Sequence, residues 1–262
     1  MNTLFRIVAI LILLLPFHSA GADDGNLKVA LLGDSMTWIG GDNFEKPNGW
    51  THYMADLPIE MKTYARSGAT WTNSAETRGD TKAYSEVIHP ENVIYNQALR
   101  LIGEADFTPD IIIIFAGAND AWFQSKRPGM FDLYFAPESI SLNSDPSEFT
   151  SLEGSVHLVC SILKGAFPDA RLYIITPVNA GKISDADIER VSDVIETAAS
   201  AEGATVIRGN REIPIRHDEE GGKRRKYTYD GVHTNKKGAK LIADCIKRNI
   251  IASELVSIDN SN

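Results

Sequence analysis

The stretch Ile111-Ile112-Ile113-Ile114-Phe115-Ala116 restricts the fold more than any other. It is an unbroken apolar run, largely β-branched, without the polar alternation of a half-exposed strand. It therefore reads as a strand buried on both faces, the mark of a central position in a parallel sheet covered by helices. The run breaks at Gly117-Ala118-Asn119-Asp120. An earlier run, Leu27 to Leu32, has the same character and breaks at Gly33-Asp34-Ser35. Turn chemistry after each run puts Ser35 and Asn119 at the carboxyl edges of their strands.

The rest of the chain alternates between strand and helix patterns. A short helical stretch is expected from Gly49 to Leu57, with Pro58 ending it, and a second strand from Ile59 to Ala65 that leads into Ser67-Gly68. Apolar residues at Val93, Ile94, Ala98, Leu101 and Ile102 predict a helix reaching Phe107. Residues 121–150 are aromatic, Pro-bearing and aperiodic, and are expected to be a functional loop. A helix over about Pro146–Phe167, a strand at Arg171–Thr176, a helix over about Ser184–Glu202 and a strand at Ala204–Arg208 follow. Asn235–Ile250 reads as an amphipathic helix, and the tail to Asn262 as polar and frayed.

This alternation predicts an α/β chain: a three-layer αβα sandwich around a five-stranded parallel sheet in the flavodoxin-like order 2-1-3-4-5. In that order strands 1 and 3 are neighbours, and the crevice between their carboxyl ends is the expected ligand site. The same order puts the helices carrying Cys160 and Cys245, the only two cysteines, on opposite faces of the sheet. Two buried free thiols are expected. Neither cysteine has neighbours that suggest a nucleophile, and no metal-ligand spacing occurs.

Residues 1–22 read differently. Arg6 precedes an apolar run from Ile7 to Leu15, and Ala20-Gly21-Ala22 supplies small residues for cleavage before Asp23. This is the pattern of a signal peptide, too short to span a bilayer, so the expectation is export to the periplasm or beyond without stable membrane insertion. Residues 23–262 then form a single domain. Losing Arg6 takes the formal net charge from −9 to −10. An acidic chain is a poor partner for nucleic acid or an anionic membrane surface. The basic run Lys223-Arg224-Arg225-Lys226 follows Asp218, Glu219 and Glu220 and reads as a self-paired surface loop.

A serine hydroxyl reacts near neutral pH only if a base takes its proton and donors hold the oxyanion it creates. Of the six histidines, His233 stands out because Asp230-Gly231-Val232-His233 sets a carboxylate three residues before it, ahead of the last helix. His233 could then face Ser35 while Asp230 holds its other ring nitrogen. Asp230 alone is equally explained as a helix N-terminal carboxylate. The N–H groups of Ser35 and Gly68 and the amide of Asn119 are candidate oxyanion donors. Taken singly, Gly68 is also an ordinary turn glycine and Asn119 an ordinary helix cap. Asp120 reads as a local hydrogen-bonding residue.

Together, Gly33-Asp34-Ser35, Gly68, Gly117-Ala118-Asn119-Asp120 and Asp230-Gly231-Val232-His233 resemble the four sequence blocks of the SGNH (GDSL-type) hydrolases, in order, over about Leu27–Ile250. The resemblance implies that Ser35 is the nucleophile, His233 the general base and Asp230 its orienting partner. It also implies an oxyanion hole of Ser35, Gly68 and Asn119, ester or thioester hydrolysis through an acyl-enzyme, and no metal or organic cofactor. One departure is local. Many members carry an asparagine several residues before the second-block glycine, where this chain has Thr63-Tyr64-Ala65-Arg66-Ser67.

Three tryptophans share one offset: Trp38 follows Ser35, Trp71 follows Gly68 and Trp122 follows Asn119, each by three residues. They are candidate substrate-binding residues at the crevice mouth, since flat aromatic faces pack on sugar rings and on acyl chains alike; core packing is the alternative. The expected substrate is a small-molecule or glycan ester, with removal of acetyl groups from carbohydrate as the leading reading. A lipase-like or thioesterase-like hydrolase is the second reading, with Phe131, Leu133, Tyr134 and Phe135 lining an apolar groove diluted by Asp132 and Glu138. A catalytically silent carbohydrate-binding domain is the third.

Overall fold

The computed structural model describes residues 26–72, 93–127, 129–132, 151–252 and 254. The proposed signal peptide, residues 128 and 133–150 of the 121–150 loop and the end of the chain lie outside these residues, and with them Leu133, Tyr134, Phe135 and Glu138.

Five parallel strands form one sheet in the order β2-β1-β3-β4-β5, as the alternation predicts. They are β1 (Leu27–Gly33), β2 (Ile59–Thr63), β3 (Ile111–Phe115), β4 (Arg171–Ile175) and β5 (Thr205–Ile207). The apolar run of β3 explains its central place: all five of its residues are buried. Ile112 and Ile114 face one cluster with Leu101, Val159 and Ile195; Ile111, Ile113 and Phe115 face the other with Met54, Ile242 and Ile246. A period-2 strand with no polar face needs helices on both sides, and it has them. On the first side lie α2 (Ile94–Ile102), α4 (Leu152–Ala166) and α5 (Asp185–Ala201). On the second lie a 3₁₀ turn at Trp50–Met54 and α8 (Lys236–Ile246).

Short helices sit at the strand ends: α1 (Ser35–Trp38), α3 (Ala118–Trp122), α6 (Gly209–Glu212) and α7 (His217–Glu220). Side-chain caps begin the long ones. The hydroxyls of Ser151 and Ser184 accept from Gly154 and Asp187, and Asn235 accepts from Lys237 and Gly238.

Several boundaries move from their sequence expectations. The 49–57 stretch is a 3₁₀ turn, and α2 stops at Ile102, where the Gly103 N–H returns to the Leu99 carbonyl at 2.9 Å. α4 begins at Leu152 under its Ser151 cap, with 146–150 outside the described residues. α8 passes into a π-helical turn at Lys247–Ile251. β2 ends at Thr63, although Tyr64 and Arg66 still donate to the Leu31 and Gly33 carbonyls at 2.8 and 3.1 Å.

Cys160 and Cys245 are free and buried in the two different clusters, with the sheet between them. Burial pushes both thiols above their usual range. No helix among the described residues is long and apolar enough to cross a membrane.

One polar side chain interrupts the apolar face of α2. Gln97 is fully buried; its Oε1 accepts from the Gly33 N–H at 2.8 Å and its Nε2 donates to the Gly33 carbonyl at 2.9 Å. Replacing Gln97 with Leu orphans a buried N–H, and a loss of about 1–3 kcal/mol is expected from urea unfolding. The two thiols should react with a disulfide reagent only after denaturation. Intact mass should not change on reduction of the native protein; a gain of two hydrogens would show a disulfide instead.

Candidate active site

β1 and β3 run side by side with Gly33 opposite Phe115, so the residues that follow them emerge together. Gly33 has φ +150°, and a Cβ there would run into the Phe115 carbonyl; only glycine permits this approach. Asp34 caps α1: its Oδ1 accepts from the Met36 N–H at 2.9 Å, and its own N–H donates to the Phe115 carbonyl at 3.2 Å. Ser35 therefore stands at the first position of a helical turn, where a backbone N–H has no partner within the helix.

The strap between α7 and α8 brings His233 to this serine. His233 Nε2 lies 3.0 Å from Ser35 Oγ, and His233 Nδ1 lies 2.7 Å from Asp230 Oδ2. The other Asp230 oxygen accepts from the N–H groups of Val232 and His233 at 2.9 and 2.8 Å. Partial burial opposes the Asp230 charge, but these hydrogen bonds outweigh it and hold the carboxyl below its ordinary value. Asp230 stays ionised and fixes which imidazole nitrogen faces the serine.

Buried Glu220 shapes the strap. Its carboxylate accepts from the N–H groups of Lys226, Tyr227 and Thr228 at 3.2, 2.8 and 2.9 Å, and from the Thr228 hydroxyl. Part of the basic run is self-paired as expected: Lys226 bonds Glu219 at 2.9 Å.

The second and third blocks are clipped together. The Asn119 amide donates to the Ala69 carbonyl at 2.9 Å, and buried Asp120 accepts from the N–H groups of Trp71 and Thr72 at 3.0 and 3.1 Å. The Thr72 hydroxyl adds a third bond to Asp120 at 2.9 Å. Asp120 is thus a local hydrogen-bonding residue, and Asn119 is not a cap, since the cap of α3 is Gly117. Gly68 turns this loop at φ +77°. Among the described residues the N–H groups of Ser35 and Gly68 donate to no acceptor. The second Asn119 amide hydrogen gives a third donor beside them.

The tryptophans part company. Trp71 is a correction: it is fully buried in the core, because the Asp120 clip on its own N–H turns the ring inward. Trp38 is half-buried, with the Lys46 ammonium 5.7 Å from its ring centre. Trp122 is exposed and stacks on Phe123. Phe131 packs against the core under the Arg190 guanidinium, 3.6 Å above its ring, so it lines no open groove.

Sequence reasoning missed Gln97 and Glu220, which hold the loops that carry the site. Gln97 left a signal, as a polar residue on the apolar stripe of a helix. Glu220 left none within its acidic run. The described residues contain no group of three His, Cys, Asp or Glu arranged to hold a metal ion.

Asp34 is the electrostatic outlier. Complete burial pushes its carboxyl up to about 7, although the Met36 and Ala118 N–H groups and His233 oppose the shift. A carboxyl raised in the folded state binds more protons there than in the unfolded chain. Its contribution is therefore full in acid and is lost as pH rises from the ordinary carboxylate range, near 4, through about 7. Asn keeps the acceptor for Met36 and carries no charge. Asp34→Asn should therefore raise the melting temperature relative to wild type at pH 8 and bring little gain at pH 4. An equal effect at both pH values would show that Asp34 is not the source.

The sequence matches the model of the GDSL-like lipase/acylhydrolase family over residues 31–241. No curated protein matches it. Solved structures share the fold at low identity. A proposed GDSL-like lipase from Bacteroides uniformis superposes with a TM-score of 0.59 at 19% identity, covering 87% of this chain and 97% of that one. The acetyl xylan esterase AlAXEase gives 0.54 at 20% identity, covering 86% and 100%. A catalytic mutant of an acetylxylan esterase from Geobacillus stearothermophilus gives 0.50 at 18%, covering 86% and 94%. The family match spans every block that builds the crevice, and the chain belongs to the GDSL-like lipase/acylhydrolase family of ester-hydrolysing enzymes.

Proposed function

We propose that this chain is an exported serine esterase that removes acetyl or similarly short acyl groups from carbohydrate through an acyl-enzyme. The observation that carries the mechanism is the line of contacts from Ser35 Oγ through His233 to Asp230, at 3.0 and 2.7 Å. Ser35 Oγ attacks the acyl carbon as His233 Nε2 takes its proton. Asp230 stabilises the imidazolium that forms. The oxyanion is held by the N–H groups of Ser35 and Gly68 and the Asn119 amide, donors already in place before charge develops. Collapse of the tetrahedral species expels the alcohol, which takes the proton from His233. Water then repeats the sequence on the acyl-enzyme, releasing the acid and restoring Ser35.

Three features support the short-acyl, carbohydrate part of this reading. Trp122 is open to solvent one turn beyond Asn119, and Trp38 is partly open beside Ser35. Phe131, a candidate lining residue for a long acyl chain, is covered by the Arg190 guanidinium. Two structural neighbours are acetyl xylan esterases, which adds support at the level of a shared fold. Export rests on the 1–22 pattern, and a mature amino terminus at Asp23 is its test.

Nitrophenyl esters of graded chain length and acetylated oligosaccharides test the substrate. Cleavage is expected to fall with acyl length. Ser35→Ala should lower kcat/KM roughly 10³–10⁶-fold with an unchanged melting temperature, and Asn119→Ala roughly 10²–10³-fold with a lowered one, since its bond to the Ala69 carbonyl is lost as well. Preference for long acyl chains, with no action on acetylated sugars, would replace this reading with a lipase-like one. Glycan binding with no hydrolysis by the wild type would leave a silent binding domain.

A further inference from the structure

Two large hydrophobic side chains are exposed among the described residues, Trp122 and Tyr229. Tyr229 is the more exposed, at 52%, yet its backbone is fixed on both sides. Its N–H donates to the His233 carbonyl at 3.0 Å, and its carbonyl accepts from the Arg225 guanidinium at 3.0 Å. The antiparallel bridge between Thr228 and Thr234 closes the same loop. The ring lies nearly parallel to the His233 imidazole, 19° between planes and 5.8 Å between centres. The phenol hydroxyl bonds nothing among the described residues. When a flat ligand settles on a half-exposed aromatic whose backbone is already fixed, apolar area leaves water and little freedom is lost.

We propose that Tyr229 is a specificity-determining residue for the alcohol half of the ester, receiving the sugar ring that departs when the acyl-enzyme forms. This rests on the ester-hydrolase reading above. The oxyanion donors at Ser35, Gly68 and Asn119 hold the acyl oxygen, while His233 Nε2 must reach the leaving alcohol oxygen to protonate it. The alcohol therefore lies on the histidine side of the crevice, against whatever covers the imidazole, and that cover is Tyr229. The C–H face of a pyranose packs on an aromatic face, and a phenol can donate to a ring hydroxyl. Burial and the neighbouring Asp230 charge push the Tyr229 phenol above its ordinary value, so it keeps its proton.

A ring that only buttressed His233 would affect every ester alike, whereas a platform for the alcohol affects only esters with a ring to stack. Ethyl acetate and an acetylated methyl xyloside separate the two, read with wild type, Tyr229→Ala and Tyr229→Phe. The expected result for Tyr229→Ala is a rise of about tenfold in KM on the xyloside, the size of one aromatic stack, with kcat little changed. Any loss of kcat/KM on ethyl acetate through the His233 contact should be several-fold smaller than the loss on the xyloside, and Tyr229→Phe should recover most of the lost affinity. An equal loss on both substrates, or no change on the xyloside, overturns the proposal and leaves the esterase reading intact. A wild type that cleaves ethyl acetate but not the acetylated xyloside overturns it too. A wild type inert on both, and on nitrophenyl esters, removes the esterase reading itself.

Discussion

The pairing of Gly33 with Phe115 is the contact on which the site depends. Two parallel strands end together there, at the point where the order of the sheet reverses, and their backbones approach too closely for a side chain between them. Because of that approach, the serine after β1 and the asparagine after β3 start from neighbouring points and lean over the same crevice. A bulkier residue at Gly33 would push the two strand ends apart, and the geometry downstream of both would go with them. Gln97 reinforces the junction from below by taking both polar groups of the Gly33 backbone.

The crevice itself is built of loops, and loops are held here by buried polar side chains rather than by apolar packing. Asp120 clips the Gly68 loop to α3, Glu220 gathers four donors of the strap that presents His233, and Asp34 caps the turn that presents Ser35. A buried carboxylate is costly unless its oxygens are occupied. When they are, each bond is directional and admits one arrangement of backbone, which a cluster of leucines would not impose.

Two carboxyls near His233 show how environment divides chemically identical groups. Asp230 is partly open and hydrogen-bonded by its partner histidine and two N–H groups, and it is held ionised. Asp34 is sealed beneath the serine and pushed towards neutrality. Dehydration acts on both: it is complete at Asp34 and prevails there over two N–H bonds, whereas at Asp230 it is partial and the hydrogen bonds to the charged form outweigh it. The ionised one is the one in contact with the imidazole, where a positive charge would form during acyl transfer.

Much of this was legible in the chain. Unbroken β-branched runs specify strands buried on both faces, and strands alternating with helices leave few topologies, so the sheet order followed from pattern alone. The same order separated Cys160 from Cys245. Residue types at strand ends marked Ser35 and Asn119, because turn chemistry exposes whatever follows a buried strand, and the carboxylate three residues before it marked His233. The three tryptophans that share one offset from the motif residues had no such rule behind them. Trp71 is buried where Asp120 binds its N–H, a contact between residues 49 positions apart, while Trp122 stays open. Gln97 and Glu220 likewise act on partners that proximity in sequence does not identify. Local pattern determined which elements form and which residues end them. Only the tertiary structure decided which buried polar groups hold the loops and which aromatic faces remain open, because those outcomes depend on long-range contacts with no period to read.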